Sequence, residues 1–178
     1  MAEVGLGEIK SYALSDEDIR KILGEDIKIL TYADLAKVDN INEIFDRKGR
    51  CILLYLTMSE SSGHWVCLLR KPTYIEYFDP YGEVPNEPLE TLNPIKRYAF
   101  GESKPYLTNL MKESGSAVIY NTFPFQKDRA DVNTCGRHSV VRCLYAPYSL
   151  EQYKKVIDMS GMSPDNFVSA LTAQMIGK

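Results

Sequence analysis

The sequence lacks most of the features that would place a protein in a membrane, outside the cell or along a nucleic acid. Its 178 residues include no apolar run long enough to span a bilayer. The first eight residues, MAEVGLGE, have neither the basic region nor the apolar region of a signal peptide. A net charge of −3 argues against a surface that coats nucleic acid generally. We therefore expect a soluble protein that is not secreted by the signal-peptide route and does not bind membranes.

The four cysteines lack the spacing of a disulfide framework or a metal site, because no CxxC pair is present. Cys51, Cys67 and Cys143 lie in apolar runs, which is typical of buried, reduced thiols. A zinc site built from Cys135, His138 and Cys143 is a poor alternative, since ligands strung along one helix cannot surround the ion. We expect a reducing compartment and no metal or other cofactor.

The amino-terminal third has the start and stop signals of helices. Ser15 and the acidic residues after it indicate a helix start, and Gly24 indicates its end. Thr31 and Asn40 repeat the start signal, and Gly49 repeats the stop. This part of the chain is therefore predicted to be helical.

The middle of the chain changes to short runs of aromatic and branched residues, which favour strands. Three neighbouring antiparallel strands are predicted over residues 51–57, 64–70 and 74–79. Later elements are a helix over 104–114, a strand over 117–121, and helices that begin at Ser149 and Ser163.

The sequence has no internal repeat, low-complexity tract or Pro/Ser-rich linker. We predict a single domain over residues 1–178, with residues 1–13 as a flexible amino-terminal arm. The order of helices, then strands, then helices indicates an α+β fold.

Cys135 is the strongest candidate for a catalytic residue. A polar loop leads into it, and an apolar helical segment follows, so the thiol lies at a helix start. Unpaired N–H groups and the positive end of the helix dipole favour the thiolate there. The sequence therefore predicts a nucleophilic cysteine, against the alternative of an ordinary buried thiol.

A base and an orienting carboxylate are expected at one edge of the sheet. His64 begins a predicted strand and Asp79 ends the following one. In an antiparallel pair the start of one strand lies beside the end of the other, so the two side chains should meet. We predict His64 as the general base and Asp79 as its orienter. The alternatives are a histidine that only satisfies its strand and an aspartate that caps the turn before Pro80.

The remaining parts of a cysteine-hydrolase site lie close to the nucleophile in sequence. The Gln126 amide, with the Cys135 backbone N–H, could form an oxyanion hole, unless Gln126 is a solvated loop residue. Gly136 would let a substrate carbonyl approach closely. His138 lies three positions after Cys135 and shares its helix face, so it is the competing base. A structural role suits His138 better, since a strand-end carboxylate could hardly orient it.

These residues together resemble a known group of enzymes. The chain order His64-Trp65, Asp79-Pro80, Gln126, Cys135-Gly136 resembles the clan of adenovirus proteases and SUMO/ubiquitin-like-protein proteases. The segments GHWVCL, EYFDPYG and VNTCGRH are similar to those of capsid-maturation cysteine proteases of virophages and Polinton/Maverick elements. The resemblance extends over most of the chain, from about residue 14 to residue 153.

This resemblance implies a papain-like fold in circularly permuted order, with a small mixed or antiparallel central sheet flanked by helices. It implies a thiol protease with His64, Asp79, Gln126 and Cys135 in the roles given above. It also implies that Trp65, unless it is simply core packing, flanks the cleft and covers the substrate. The cleft beneath that ring favours glycine or another small residue beside the scissile bond.

The resemblance further implies a setting for the enzyme. The expected substrate is a viral capsid protein precursor, and the expected location is the virion and the host cytoplasm. Some adenovirus-type proteases are stimulated by a viral peptide and DNA, so the resemblance allows for such an activator, and a monomer is expected. Two alternatives remain open, a deconjugase of ubiquitin-like proteins and a catalytically idle relative that serves as a binding scaffold.

Overall fold

A five-stranded sheet with the order β1-β2-β3-β4-β5 forms the centre of the fold. The structure, a computed structural model, describes residues 5–59, 62–127 and 132–177. The strands are β1 (Lys28–Thr31), β2 (Arg50–Ser59), β3 (Ser62–Arg70), β4 (Tyr74–Phe78) and β5 (Ala117–Tyr120). Strands β2, β3 and β4 are antiparallel neighbours, whereas β1 is parallel to β2 and β5 is parallel to β4. The sheet is therefore mixed.

Helices cover both faces of this sheet. The α-helices are α1 (Leu6–Ser11), α2 (Asp16–Leu23), α3 (Glu87–Glu90), α4 (Pro94–Ala99), α5 (Tyr106–Ser114), α6 (Cys135–Leu144), α7 (Leu150–Ser160) and α8 (Pro164–Ile176). Two 3-10 helices span Tyr32–Lys37 and Ile41–Ile44. Within the ranges that the structure describes, no helix combines the length and the apolarity needed to cross a bilayer.

The core has two layers because side chains alternate between the faces of each strand. Trp65, Cys67 and Leu69 of β3 point into the layer shared with α2, α6, α7 and α8. Val66 and Leu68 point into the layer shared with the 3-10 helices and α5. Helix α6 thus packs directly on β3, and its first residue lies near the beginning of that strand.

The α+β prediction, with a mixed sheet flanked by helices, is confirmed. The three antiparallel strands, β5, and the helices starting after Ser15, Ser149 and Ser163 form where they were predicted. The start signals at Thr31 and Asn40 do form capping boxes, but the helices they begin are short 3-10 turns that end well before Gly49. Strand β1 was not predicted, because four residues are too few to show a period and only pairing with β2 makes them a strand.

The flexible arm expected over residues 1–13 is described from residue 5 onward. It contains helix α1, and the residues at its end contact the loop that precedes Cys135. The Asn133 backbone N–H donates to the Lys10 carbonyl at 2.8 Å. The Asn133 side-chain amide donates to the Ser11 carbonyl at 3.0 Å. Part of this segment therefore helps to fix the shape of the loop before the candidate nucleophile.

Candidate active site

His64 and Asp79 meet at one end of the sheet. The β3–β4 register pairs Cys67 with Phe78, so one further step places Asp79 diagonally across from His64 on the same face. Nε2 of His64 lies 2.9 Å from Oδ1 of Asp79. The predicted meeting of these two side chains is thus observed, and it follows from strand register.

Asp79 is completely buried and is fixed by more than the histidine. Its Oδ1 also accepts a hydrogen bond from the Tyr81 backbone N–H at 2.7 Å. The Tyr81 ring stacks on the His64 imidazole, with 5.0 Å between ring centroids and 21° between the planes. This contact holds the imidazole flat against an apolar surface while Asp79 holds its Nε2 atom. Nothing in the sequence pattern had singled out Tyr81.

Cys135 is the first residue of α6, as predicted, and is the one cysteine of the chain that is partly exposed. Its thiol forms a hydrogen bond with His64. Burial opposes ionisation, but His64, through its hydrogen bond and its charge, and the backbone N–H groups of Trp65 and Gly136 lower the pKa of the thiol below its ordinary value. The other cysteines, Cys51, Cys67 and Cys143, are buried and free.

The pKa of the His64 imidazole is shifted in the opposite direction, upward. Burial disfavours its charged form, yet the hydrogen bond to Asp79 and the interactions with Cys135 raise the pKa of His64 from 6.5 to about 10. Because Nε2 binds Asp79, Nδ1 is the ring nitrogen left for the thiol. A raised pKa on the histidine and a lowered pKa on the cysteine favour a thiolate–imidazolium pair at neutral pH.

Gln126 lies between the carboxylate end of the site and the nucleophile. Its backbone N–H donates to the Pro80 carbonyl at 2.9 Å. Its side-chain Nε2 donates to the Val132 carbonyl at 3.2 Å, and the residue is buried rather than solvated. One of the two Nε2 hydrogens remains beyond that bond. The role of Gln126 in an oxyanion hole stays a prediction.

Trp65 and Gly136 pack against each other beside the nucleophile. A Cβ atom placed on Gly136 would lie 3.2 Å from Cδ1 of Trp65 and 3.3 Å from Cβ of Leu14. Trp65 is 7% exposed and belongs to the core layer under α6. Core packing therefore accounts for both residues, and their contacts with substrate stay predictions.

His138, the competing base, faces away from this site. Its Nε2 donates to Oδ1 of Asp165 at 2.9 Å, and its side chain is completely buried. Burial outweighs the attraction of Asp165 and lowers the pKa of His138 below its ordinary value. Burial thus keeps His138 neutral, and its partner Asp165 is not among the groups that bond Asp79 or His64, which favours the structural interpretation of His138.

Asp165 itself was missed as part of the site. Its Oδ1 accepts from the Thr134 hydroxyl at 2.7 Å, and its Oδ2 accepts from the Lys127 N–H at 3.2 Å. These bonds join the two ends of the loop before Cys135, whose central residues 128–131 lie outside the described residues. The sequence showed Asp165 only as an acidic residue at a helix start, and the loop contact depends on the tertiary fold.

No group of three or more potential metal ligands occurs among the described residues. What the described geometry brings together is an acid, an imidazole and a thiol in hydrogen-bonded series. That series can generate a nucleophilic sulfur and can move a proton to and from a reacting group.

A curated protein of Sputnik virophage, "Uncharacterized protein V9", is 33% identical to this chain over 173 residues. The match covers 93% of this chain and 98% of the virophage protein. The chain belongs to the same family as this virophage protein. Kinship with a virophage protein is thus confirmed, whereas the resemblance to capsid-maturation proteases stays a prediction.

Among solved structures, "SUMO protease Ulp1 with the catalytic cysteine oxidized to a sulfinic acid" aligns with a TM-score of 0.42 and 17% identity. The alignment covers 97% of this chain and 83% of that chain. No protein-family model matches the sequence.

Proposed function

We propose that the protein is a viral cysteine endopeptidase that cleaves capsid protein precursors during virion maturation. The observation that carries the enzymatic part is the hydrogen-bonded series Asp79, His64, Cys135. A cysteine that served only to fill the core would need neither a partly exposed thiol nor a buried imidazole–carboxyl pair beside it. The viral part rests on kinship with a virophage protein.

Acylation begins with attack of the Cys135 sulfur on the scissile carbonyl carbon, which forms the C–S bond and moves an electron pair onto the carbonyl oxygen. The oxyanion accepts hydrogen bonds from the Cys135 backbone N–H and the Gln126 amide. The intermediate collapses, the C–N bond breaks, and the His64 imidazolium protonates the departing amine. The product is a thioester on Cys135.

Deacylation reverses these roles. Neutral His64 removes a proton from water as the water oxygen attacks the thioester carbonyl, and the C–S bond then breaks. The acid product leaves, and the thiolate–imidazolium pair is restored. Asp79 keeps the imidazole in one orientation through both steps and stabilises its charged form.

Capsid precursors are proposed as substrate because the segments around His64, Asp79 and Cys135 resemble capsid-maturation proteases. On the same ground the cut should follow a small residue, and the enzyme should act as a monomer in the virion and in the host cytoplasm. A viral peptide or DNA as activator is tested by adding each to a cleavage assay.

The direct test is co-expression of the capsid precursor with the protease. We expect Cys135→Ala to abolish the cleavage while the circular dichroism spectrum is unchanged. Cys143→Ala, in the same helix, removes a buried thiol away from His64 and should leave processing intact. Processing by the Cys135→Ala variant would refute the proposal.

Two further comparisons separate the alternatives. His64→Ala should abolish cleavage, whereas His138→Gln, which keeps an amide donor for Asp165, should retain it; the reverse pattern would make His138 the base. Labelling of Cys135 by ubiquitin-like vinyl-sulfone probes, without cleavage of the capsid precursor, would favour a deconjugase. A Cys135 no more reactive than Cys51 would favour an idle binding relative.

A further inference from the structure

The β4–β5 pairing ends just before the candidate active site, and a side chain continues it. The last paired residues of this parallel ladder are Tyr77 and Tyr120. Beyond them, Oδ1 of Asn121 accepts from the Asp79 backbone N–H at 3.0 Å. Nδ2 of Asn121 donates to the Asp79 carbonyl at 2.7 Å. One carboxamide thus binds both backbone polar groups of Asp79.

The Asn121 amide is fully used by these contacts. Its second Nδ2 hydrogen goes to the Phe123 carbonyl at 3.1 Å, and the residue is 6% exposed. Only a carboxamide offers an acceptor and two donors at this reach, because a carboxylate has no hydrogen to donate and a hydroxyl is shorter. Many residue types could be buried at this position, but only a carboxamide makes these three hydrogen bonds, which indicates that Asn121 serves as a bridge.

The side chain of Asp79 depends on this backbone support. Its Oδ1 is shared by the Tyr81 N–H and His64, and within the described part of the chain Oδ2 has no hydrogen-bond partner. A carboxyl group held through one oxygen can rotate or retreat if its backbone shifts. The direction in which Asp79 faces His64 is thus set by the position of the Asp79 main chain.

We propose that Asn121 is a positioning residue that fixes the backbone of Asp79 and through it the orientation of His64. The inference rests on the proposed function, because it presumes that the Asp79–His64–Cys135 series is the reactive centre. Asn121 touches none of the reacting atoms, so its effect reaches Cys135 only through Asp79 and His64.

Loss of the carboxamide leaves the buried N–H and carbonyl of Asp79 without these partners, and the main chain moves to find others. The bond between Asp79 and His64 weakens, the imidazolium is less favoured, and the Cys135 thiolate then forms at higher pH. We expect the acid limb of Cys135 reactivity to move up by about one pH unit, which is about a tenfold loss of rate below the midpoint.

The experiment measures the alkylation rate of Cys135 by iodoacetamide in the full chain from pH 4 to pH 9. The modified peptide is quantified by mass spectrometry, so no substrate is needed. Asn121→Ala is compared with the unaltered protein, and Asn121→Ser replaces it if the alanine variant does not fold. The matched control is Asn40→Ala, which removes a side-chain cap from the 3-10 helix Ile41–Ile44 beside Arg70 and Tyr74, at the other end of the sheet.

The inference is supported if the acid limb shifts in the Asn121 variant and does not shift in Asn40→Ala. A purely structural role of Asn121 would lower the stability of both variants and would leave the pH profile of Cys135 alkylation unchanged in each. A folded Asn121 variant with the unaltered profile overturns the inference. If Cys135 in the unaltered protein shows only ordinary thiol reactivity, the proposed function fails. If the unaltered protein and the Asn121 variants show the same low-pH limb, only the positioning role of Asn121 fails.

Discussion

The imidazole of His64 and the carboxyl of Asp79 lie 2.9 Å apart, one at the beginning of β3 and the other just past the end of β4. Neither residue is special in its own segment; the antiparallel register joins them. The same edge receives Asn121 from β5, because β5 runs parallel to β4 and ends beside it. Three strands thus deliver three polar side chains to one place, and α6 adds the thiol.

The pKa of His64 can be measured directly, because the chain has only two histidines. We expect an imidazole titration by NMR to give a pKa near 10 for His64, since Asp79 and Cys135 stabilise the charged ring. His138, whose pKa burial lowers, provides an internal contrast. Asp79→Asn should lower the pKa of His64 by about 1 to 3 units, because the neighbouring negative charge is lost. A value near 6.5 in the unaltered protein would contradict the ion pair.

A buried ion pair joins β4 to α6, and a single substitution that breaks it should lower the unfolding free energy strongly. Arg142 Nε and Nη2 donate to the Glu76 carboxylate at 2.6 and 2.9 Å, and both side chains are completely buried. Glu76→Gln leaves the Arg142 charge buried with weaker compensation, so we expect a loss of about 3 to 5 kcal/mol of unfolding free energy.

Urea unfolding followed by circular dichroism measures this loss. The matched control is Asp158→Ala, which breaks the pair with Lys154 but leaves Lys154 over the Phe123 ring. The side chains of Lys154 and Asp158 are 39% and 59% exposed, so the loss should be no more than about 0.5 kcal/mol. Similar losses for the two variants would show that burial of the Glu76 pair does not control its contribution.

Gly63 precedes His64 and has no room for a side chain. A Cβ atom there would lie 1.7 Å from the Tyr55 carbonyl oxygen, so β2 and β3 must separate to admit one. We expect Gly63→Ala to lower the melting temperature sharply and to lower Cys135 reactivity, because His64 moves with the strand. Gly7→Ala is the control: it lies in α1 with no atom within 4 Å, and alanine should add roughly 0.5 to 1 kcal/mol there. A Gly63→Ala variant whose melting temperature and Cys135 reactivity are both unchanged would contradict the close approach of β2 and β3 at this position.

Sequence reasoning reached His64, Asp79 and Cys135 because each marks the end of an element. A strand start, a strand end and a helix start are visible in local patterns, and antiparallel pairing converts the first two into a contact. Asn121 also ends a predicted strand, but its contact with Asp79 could not be predicted, because the parallel pairing of β5 with β4 is a long-range feature. Asp165 reaches the loop before Cys135 from helix α8, and no local pattern contains that approach.

The buried carboxyl of Glu102 should make stability depend on pH near neutrality. It is completely buried, and its Oε1 accepts from the Leu56 N–H at 2.7 Å, where the β2–β3 register shifts. Burial outweighs the stabilising effects of that N–H and of Arg97 and raises the pKa of Glu102 from 4.5 to about 7. The folded protein therefore holds the proton more tightly than the unfolded chain does, so this contribution to stability is complete below pH 4.5 and is lost as the pH rises through about 7.

Glu102→Gln keeps an oxygen acceptor for Leu56 and removes the titration. We expect the unfolding free energy of the variant to increase relative to that of the unaltered protein as the pH rises from 4.5 to 7, by up to about 3 kcal/mol. Urea unfolding at intervals from pH 4 to pH 8 measures the difference. The titration of His64 also lowers stability above its unfolded value of 6.5, but it is present in both proteins and cancels in the difference. A difference that does not change with pH would mean that the pKa of Glu102 is the same in the folded protein as in the unfolded chain.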